Sequence, residues 1–342
     1  MLRVGILNVT GYAGVELARL LALHPQARVT CVTGRSAQGQ RLGQLFPHLS
    51  QVADIPVTTE LEGDVDFVFS ALPHKASAEA VAALISAGLP VVDISADFRL
   101  RDPAEYARWY ATPHPAPHLI ERAVYGLTEL HREAITAARL VANPGCYPTS
   151  AILALAPALK SGIVQPDIIV DSKSGVSGAG RTLSLTTHYS EVNENLQAYA
   201  LDGHRHLPEI VQELEPFCSG SALRLSFVPH LVPMTRGILS TCYAPLADSF
   251  SGSTPEVRAL YREFYCHDPF VRVTDAPPQT KHTWGNNDCL LFPTVDERAR
   301  RLVVVSCLDN LVKGAAGQAI QNMNLMCGFP EEAGLQAAAV YP

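Results

Sequence analysis

The segment VGILNVTGYAGVEL (residues 4–17) decides the fold of the first half of the chain. An apolar run ends near Asn8 and an amphipathic pattern begins at Tyr12, so a strand, a tight turn and a helix are predicted in that order. Glycine in such a turn lets the backbone approach a pyrophosphate held at the N-terminus of the helix. The pattern therefore favours a dinucleotide-binding fold, and the expected cofactor contacts are Gly11, Tyr12, Ala13 and Gly14.

Asn8 stands where turns of this kind usually carry their first glycine. Asparagine adopts a left-handed backbone more readily than most residues, so the turn is expected to survive the replacement. By itself the motif is weak, because glycines between a strand and a helix often serve only a tight turn.

The end of the second predicted strand, TGRS (33–36), indicates which dinucleotide is bound. An acidic residue here would bind the ribose of NAD, whereas Arg35 and Ser36 could accept a 2′-phosphate, which favours NADP. An ordinary solvated loop arginine remains an equal alternative. Three residues at the ends of later strands lie where an open parallel sheet binds its ligand, and we expect them near the cofactor: Ser70, Pro73 and Ser95.

Strand-like and helix-like segments alternate over the first 145 residues, which predicts an α/β, Rossmann-type domain with a parallel sheet. The predicted strands are 3–9, 27–34, 66–73, 90–95 and 139–145, and the clearest helices are 12–24 and 75–88. After residue 162 strands follow one another with few helices between them, which predicts a second, α+β domain on a mixed or antiparallel sheet. The pattern of residues 311–328 predicts a last helix that ends at Gly328.

Composition excludes several classes of protein. The 342 residues carry a net charge of −7 with acidic and basic residues scattered, so a nucleic-acid partner is not expected. The apolar runs are too short for a membrane span, and the N-terminus has no signal-peptide layout. The eight cysteines are widely spaced without a CxxC pair, which favours a soluble, cytoplasmic protein rather than a disulfide framework.

The segment NPGCYPTS (143–150) places a thiol where the chain leaves a strand and enters a helix. Cys146 would sit at or just before a helix N-terminus, where N–H groups and the helix dipole lower the pKa of a thiol and can hold an oxyanion. A lone cysteine is more often a small buried hydrophobe, but the turn residues around Cys146 fit that interpretation poorly. Pro157 is expected to kink or split this helix.

A reactive thiol beside a nicotinamide indicates one reaction class, the reduction or oxidation of a carbonyl through a thioester. In the reductive direction the thiolate displaces a leaving group and hydride then reduces the acyl-enzyme to an aldehyde. Each step is easier than direct hydride attack on a resonance-stabilised acyl donor.

The segment GHRHLPEI (203–210) supplies a candidate base. Pro208 indicates that a helix starts here, with His206 at its entrance and Glu209 in its first turn. A histidine can relay protons to the thiol or to a substrate oxygen, and a carboxylate can orient it. The alternative for Glu209 is a favourable interaction with the helix dipole alone, and a zinc site built on His204 and His206 lacks a recognisable third ligand.

A second glycine-rich loop, KSGVSGAGR (173–181), is a candidate nest for a phosphate or carboxylate. Lys173 and Arg181 flank small residues that expose backbone N–H groups, and a flexible surface hairpin is the alternative. Arg236 is a further candidate anion contact, with a surface or packing role equally open.

These residues resemble the N-acetyl-gamma-glutamyl-phosphate reductase family of arginine biosynthesis, a relative of aspartate-semialdehyde dehydrogenase. The likeness covers almost the whole chain, and its most specific pair of motifs is NPGCYPT with HRHLPE. Its pieces occur in order: TGYAGVEL, SADFR (95–99), YGLTEL (125–130), NPGCYPT, KSGVSGAGR, HRHLPEI, VPHLVPMTRG and DNLVKGAAGQA (309–319).

The resemblance implies that Cys146 accepts the acyl group, with His206 as base, Glu209 holding it and His204 nearer the substrate oxygen, although the two histidines could exchange roles. It implies NADPH as cofactor, a homo-oligomer (dimer or tetramer) and a last helix that returns to the nucleotide domain. The predicted domains are thus 1–147 with 312–342, and 148–311. Further expected contacts are Gly178, Asn310 and Gly314 for the cofactor, and Ser177, Arg181 and Arg236 for the substrate.

Three alternatives stay open from the sequence. One is the same chemistry on an aminoadipyl or glutamyl phosphate linked to a small acidic carrier protein, as in some lysine pathways. Another is a non-catalytic NADP-binding sensor, which only Asn8 supports. The third is an aldehyde-oxidising dehydrogenase, because a thioester pathway runs both ways.

Overall fold

The structure is a computed structural model that describes residues 1–51 and 53–342. The strands are β1 (Leu2–Leu7), β2 (Ala27–Thr33), β3 (Val57–Thr58), β4 (Phe67–Ser70), β5 (Val91–Asp93), β6 (Ala123–Tyr125), β7 (Leu140–Ala142), β8 (Asp167–Gly175), β9 (Gln197–Ala198), β10 (Arg224–Val232), β11 (Ile238–Pro245), β12 (Val271–Val273), β13 (Cys289–Asp296) and β14 (Arg301–Leu308). The α-helices are α1 (Tyr12–Leu21), α2 (Leu42–Leu45), α3 (Ser77–Ser86), α4 (Pro103–Tyr110), α5 (Thr128–Thr136), α6 (Cys146–Lys160), α7 (Tyr189–Val192), α8 (Leu207–Leu214), α9 (Thr254–Phe264) and α10 (Gly317–Met326). Within the described residues, no helix is both long and apolar enough to cross a membrane.

The chain divides into two compact units. Unit 1 is Met1–Gly145 with Ala315–Ala337, and unit 2 is Cys146–Gly314 with Ala338–Pro342. The sequence assigns the C-terminal tail to the first domain, but the structure places its last residues with unit 2. The reason is local, because the Val340 N–H donates a hydrogen bond to the Trp284 carbonyl (2.8 Å) in that unit.

Unit 1 is built on a parallel sheet. In the described part of the chain its strand order is β3-β2-β1-β4-β5-β7-β6, and every neighbouring pair is parallel. The order reverses between β1 and β4, which puts a ligand crevice outside the carboxyl ends of those two strands. The predicted Rossmann-type fold is therefore confirmed. The sequence patterns miss β3 and β6, which have only 2 and 3 residues and add short pairings near the two edges of the sheet.

Unit 2 is built on a mixed sheet, in the order β12-β13-β14-β11-β8-β10-β9. The pairs β8–β10 and β12–β13 are parallel, whereas the other described pairs are antiparallel. The helix α6 covers one face of this sheet and is buried on all sides from Tyr147 to Leu159, as expected for a helix that is apolar all round. The hydroxyl of Ser150 on α6 lies 2.9 Å from those of Ser240 and Ser306, which fixes the helix on β11 and β14.

Pro157 is predicted to kink or split the helix after Cys146, and it does not split it, because α6 continues through it to Lys160. Proline has no N–H, so the carbonyl of Leu153, four residues earlier, loses its usual helical donor. The hydroxyl of Tyr265 donates to that carbonyl instead (2.6 Å). A side chain from α9's C-terminal end thus replaces the missing backbone hydrogen bond, and the buried carbonyl stays satisfied.

The predicted last helix is present but begins with a different geometry. Residues Val312–Ala316 form a π-helical turn, and α10 follows directly from Gly317 to Met326. Gly328 has a φ of 68° and ends the segment, as the sequence predicts. The π-helical turn lies where the chain passes from unit 2 back to unit 1.

Candidate active site

In unit 1, Asn8 follows β1 directly and has a φ of 61°, so the left-handed backbone predicted for it is confirmed. Its side-chain Nδ2 donates to the Ala71 carbonyl (2.9 Å), which links the carboxyl ends of β1 and β4 at the crevice. A Cβ on Gly14 would lie 2.5 Å from the Asn8 carbonyl oxygen, whereas one on Gly11 would lie 3.5 Å from its nearest neighbour. The close approach of α1 to this turn therefore depends on Gly14. Tyr12 and Ala13 open the same helix.

Arg35 and Ser36 lie in a single 3₁₀ turn, Arg35–Ala37, directly after β2. Both are exposed, and β2 pairs with β1. A cationic side chain and a hydroxyl at this position fit a 2′-phosphate on a dinucleotide whose pyrophosphate lies at α1.

The expected cofactor contacts Ser70 and Ser95 are buried and hydrogen-bonded inside unit 1. The Ser95 hydroxyl donates to Asp93 (2.7 Å), and Ser70 contacts Ser77 (2.7 Å), whose hydroxyl also donates to Asp93 (2.6 Å). Burial raises the pKa of Asp93 to about 6, although these hydroxyl hydrogen bonds oppose the shift. The two hydroxyls thus serve an internal carboxylate network that the sequence does not predict, while Pro73 lies in the loop after β4.

In unit 2, Cys146 is the first residue of α6 and is half-buried. The structure therefore confirms the predicted placement of the thiol at a helix N-terminus. A Cβ on Gly314 would lie 2.8 Å from the Cys146 Cβ, which is closer than two such atoms can pack. Only glycine at position 314 therefore allows the π-helical turn to pack this closely against Cys146. This contact brings together two residues, 146 and 314, that the sequence assigns to chemistry and to cofactor binding.

Two histidines and two tyrosines form an aromatic cluster next to Cys146. The rings of His204 and His206 are 4.8 Å apart, and the ring of Tyr147 lies 5.7 Å from His204 and 5.9 Å from His206. The Tyr199 hydroxyl lies 3.5 Å from His204 Nε2 and donates to the Tyr147 hydroxyl (3.3 Å). Tyr147 in turn donates to the His230 carbonyl (3.2 Å), so its hydroxyl both accepts and donates a hydrogen bond. His204 and His206 thus lie against each other and against Tyr147, the residue that follows the thiol.

Burial sets the electrostatics of this cluster. It lowers the pKa of His204 to about 4, with the charge of Arg205 adding to the effect, so His204 is neutral at pH 7. Burial, with a smaller contribution from negative charge on Cys146, raises the pKa of Tyr199 to about 12. That electrostatic contribution places the sulfur within range of the tyrosines, whose hydroxyls remain protonated donors at neutral pH.

The helix predicted in GHRHLPEI begins at Leu207, with His206 as its N-cap residue and Glu209 in its first turn. Glu209 is 1% exposed. A carboxylate this deeply buried needs polar partners, so Glu209 does not act only as a solvated helix-dipole residue. Its role in orienting His206 remains a prediction.

The second glycine-rich loop is connected to the segment before the π-helical turn. Asn310 Nδ2 donates to the Ser177 hydroxyl (2.9 Å), and Asn310 Oδ1 accepts from the Gly237 N–H (2.8 Å). Gly178 lies beside this pair, since a Cβ there would be 3.8 Å from Asn310 Nδ2. Three residues predicted to bind substrate or cofactor, 177, 178 and 310, therefore lie together in unit 2.

Of the two candidate anion-binding arginines, Arg181 is exposed in the loop that follows Ser177. Arg236 contacts the carboxylate of Asp309 (3.4 Å), which is 0% exposed. Asp309 also accepts from the N–H groups of Gly285 (2.7 Å) and Leu311 (2.8 Å). One buried carboxylate thus orients Arg236 and caps the start of the π-helical turn.

Comparison with known proteins assigns the family. Residues 3–138 match a family model described as the NAD binding domain of semialdehyde dehydrogenase, and residues 146–310 match one described as its dimerisation domain. A protein of Dehalococcoides mccartyi (strain CBDB1) named N-acetyl-gamma-glutamyl-phosphate reductase is 55% identical over 340 residues, 99% of each chain. One of the same name from Symbiobacterium thermophilum is 52% identical over 349 residues, covering 100% of this chain and 99% of its own.

The chain belongs to the N-acetyl-gamma-glutamyl-phosphate reductase family.

Solved structures of more distant proteins share the fold of this family member. Aspartate semialdehyde dehydrogenase II of Vibrio cholerae, complexed with ASA, matches with a TM-score of 0.73 at 16% identity, over 96% of this chain and 98% of the other. The Candida albicans aspartate semialdehyde dehydrogenase with NADP matches with a TM-score of 0.72 at 17% identity, over 96% and 98%. At these identities the likeness concerns the fold alone.

Sequence reasoning on this family member misses several residues of the site. Tyr199 lies in no motif, and Tyr147 lies in NPGCYPT, directly after the thiol, but is not among the predicted site residues. Asp309 directly precedes Asn310, a predicted cofactor contact, but its partners Gly285 and Arg236 are distant in sequence. For Tyr147 and Asp309, adjacency to a candidate residue is the one sequence signal that could have indicated a role; Tyr199 has no such signal.

Proposed function

We propose that this chain reduces N-acetyl-gamma-glutamyl phosphate to N-acetylglutamate semialdehyde and inorganic phosphate with NADPH, in arginine biosynthesis. The observation that carries the proposal is Cys146 at the N-terminus of α6, followed directly by Tyr147, whose ring packs against His204 and His206, in a chain 55% identical to a named reductase. A thiol, a proton acceptor and helix N–H groups are the components that acyl transfer to sulfur requires.

The residues present fit a bound dinucleotide. The strand order places a crevice at β1 and β4, and the close packing of Gly14 brings the N-terminus of α1 to it. Arg35 and Ser36 would hold a 2′-phosphate, which is why we prefer NADP(H) to NAD(H). Gly178, Asn310 and Gly314 are proposed to lie near the cofactor as well. When bound, the reduced nicotinamide supplies the hydride.

The chain's own residues carry the acyl transfer. His206 accepts the proton of the Cys146 thiol as sulfur bonds to the acyl carbon, and the bond from that carbon to the phosphate oxygen breaks. Phosphate leaves with the bonding electrons and takes its proton from solvent. Ser177, Arg181 and Arg236 are proposed to bind the substrate's anionic groups, while Glu209 orients His206 and neutral His204 donates to the substrate oxygen.

Reduction of the thioester carbon then breaks its bond to sulfur and releases the aldehyde. Sulfur leaves as a thiolate, and His206 returns the proton to it, so the enzyme regains its starting state. Burial raises the pKa of both Tyr147 and Tyr199, so their hydroxyls stay protonated and add no negative charge next to the sulfur in either half-reaction.

The test is phosphate-dependent oxidation of N-acetylglutamate semialdehyde with NADP and with NAD in parallel. We expect activity mainly with NADP, and we expect Cys146→Ser to lose it at least ~1,000-fold while still binding NADPH. Mass spectrometry of wild-type enzyme quenched with acyl phosphate and no NADPH should show the acyl mass on Cys146. Near-normal turnover of the serine variant would contradict the proposed mechanism.

We further propose that the oligomer is a dimer formed through the face of the unit 2 sheet that α6 does not cover. Ile169, Tyr243 and Val303 are side by side on β8, β11 and β14, and Ile169 is 41% exposed. An apolar cross-strand row open to solvent favours a protein partner, and the match to a dimerisation domain supports a second copy. Tyr243→Asp should halve the mass measured by light scattering, and an unchanged mass would count against this face.

A further inference from the structure

Asn143, the first residue after β7, is held by every hydrogen-bonding group that it has. It is 0% exposed. Its backbone N–H donates to the Asp93 carbonyl (2.8 Å), and its carbonyl accepts from Arg99 Nε (2.8 Å). Its side-chain Nδ2 donates to the Ala315 carbonyl (3.1 Å), and its Oδ1 accepts from Asn322 Nδ2 (3.1 Å). This fully hydrogen-bonded residue stands three residues before the thiol.

Asn322 on α10 is the side chain that fixes the amide of Asn143 from a distance of 179 residues along the chain. It is 0% exposed, and its Nδ2 also donates to the Gly126 carbonyl (2.8 Å). Its Oδ1 accepts from the Thr128 hydroxyl (3.0 Å), which sets which end of the amide faces Asn143. A Cβ on Gly126 would lie 2.5 Å from Asn322 Nδ2, so the chain keeps a glycine where Asn322 needs the space.

The segment that these bonds hold leads directly to the reactive sulfur. Pro144 and Gly145 alone separate Asn143 from Cys146. Proline limits the backbone freedom of that link, so an error in the orientation of Asn143 passes into the first turn of α6. A displacement of about 1 Å at a reacting group can cost roughly 100-fold in rate. Hydrogen bonds that keep the turn 143–145 in one orientation would therefore affect the reaction rate.

We propose that Asn322 is a positioning residue for Cys146, acting through the side chain of Asn143 and the turn 143–145. The proposal rests on the proposed function for its catalytic consequence, but its effect on the thiol itself does not need any substrate. Asn322 touches neither the thiol nor any group placed in the acyl transfer above, and its contribution lies in keeping the turn in one orientation.

The competing interpretation is that Asn322 only stabilises unit 1, and the chain offers a matched control on the same helix. Asn324 is also 0% exposed and also makes three hydrogen bonds, to the carbonyls of Glu331 (3.0 Å) and Ala333 (3.0 Å) and to His24 Nε2 (2.9 Å). None of these partners belongs to the turn before Cys146. A purely structural role predicts the same behaviour for Asn322→Ala and Asn324→Ala.

The experiment compares these two variants by thermal unfolding, by kcat and by the rate at which iodoacetamide alkylates Cys146 between pH 5 and 9. Peptide mapping reports each cysteine separately, and exposed Cys266 serves as an internal reference. We expect similar losses of stability. We expect kcat to fall about 10- to 100-fold and the Cys146 alkylation profile to shift in Asn322→Ala only, with NADPH affinity changed less than about threefold.

Two further variants keep the test decisive if Asn322→Ala does not fold. Thr128→Val removes the hydroxyl that orients the Asn322 amide while nearly conserving volume, and should shift the Cys146 profile in the same direction by a smaller factor. The double variant Asn143→Ala/Asn322→Ala should be no slower than Asn143→Ala alone, because both changes break one linkage. Equal kcat and equal alkylation in Asn322→Ala and Asn324→Ala, or additive losses in the double variant, would overturn the proposal. If wild-type enzyme did not catalyse the acyl-phosphate reaction, the alkylation result would still decide whether Asn322 positions Cys146.

Discussion

Two turns from a strand into a helix each begin with an asparagine, and they use it differently. Asn8 follows β1 with a φ of 61°, and its side chain makes a hydrogen bond to the Ala71 carbonyl. Asn143 follows β7, is fully buried and is bonded through both ends of its amide. The first turn depends on local backbone geometry, including a glycine that lets α1 come close. The second depends on side chains that arrive from remote parts of the chain.

The proposed roles of the two turns account for this difference. A turn that holds a pyrophosphate must present backbone N–H groups and exclude side-chain atoms, so small residues and a left-handed backbone suffice. A turn that delivers a nucleophile must hold one atom in place through a reaction, which calls for several simultaneous contacts. The three predictions below probe the two turns and the units that carry them, from the largest expected effect to the smallest.

Gly14→Ala, in the first turn, should lower stability more than any other change considered below. The new Cβ would lie 2.5 Å from the Asn8 carbonyl and 2.7 Å from Val9 Cα, both backbone atoms that cannot move aside cheaply. We expect the free energy of unfolding to fall by about 3 kcal/mol, together with weaker NADPH binding. Urea unfolding followed by circular dichroism measures the first effect. Gly11→Ala is the matched control, since its Cβ would meet nothing closer than 3.5 Å, and it should stay within about 1 kcal/mol of wild type. Equal losses in both variants would show that the close packing of α1 is not what the turn requires.

The sequence predicts the first turn almost completely and the second only in outline. The glycines, the positive φ of Asn8 and the placement of Arg35 follow from local rules, because each depends on neighbours within a few residues. Cys146 at a helix N-terminus and the start of α8 after His206 are also local, and both are present. The bonds from Asn322 and Arg99 to Asn143 join segments far apart in sequence, and no periodicity encodes them. The unbroken α6 has the same cause, since the hydroxyl that compensates for Pro157 comes from Tyr265.

In unit 2, which begins with the thiol that the second turn delivers, burial strongly shifts the pKa of His204. The folded-state pKa of His204 is about 4 against 6.5 for an unburied histidine, so between these values the unfolded chain binds a proton that the folded chain does not. Stability from neutral His204 is therefore complete above pH 6.5 and is lost as pH falls towards 4. We expect the difference in unfolding free energy between wild type and His204→Asn to shrink by about 2 kcal/mol from pH 7.5 to pH 4.5. Urea titrations at both pH values measure it.

Asp93 in unit 1 provides a control of opposite sign for that titration. Its folded-state pKa is about 6 against 3.8, so the folded chain binds the extra proton and stability falls as pH rises through this window. Relative to Asp93→Asn, wild type should therefore lose stability between pH 4 and pH 6.5, where relative to His204→Asn it gains. A pH-independent difference for His204→Asn would mean that His204 has the same pKa in the folded and unfolded chain, and would contradict the lowering of its pKa by burial.

Asn8→Gly should have the smallest effect, which separates the two asparagines most sharply. The change removes two partly buried hydrogen bonds, from Asn8 Nδ2 to the Ala71 carbonyl and from the Thr10 hydroxyl to Asn8 Oδ1 (3.3 Å). It also relieves a backbone φ of 61° that costs a residue with a side chain more than it costs glycine. These contributions oppose each other, so we expect unfolding free energy within about 1 kcal/mol of wild type and NADPH affinity within about tenfold. Asn143→Ala, which removes two buried side-chain bonds without relieving any strain, should cost about 2 kcal/mol. Fluorescence titration with NADPH and urea unfolding of both variants test the contrast. If Asn8→Gly tightened NADPH binding far beyond tenfold, the asparagine would be obstructing the crevice at β1 rather than bracing it, and the first turn would owe its present form to something other than cofactor binding.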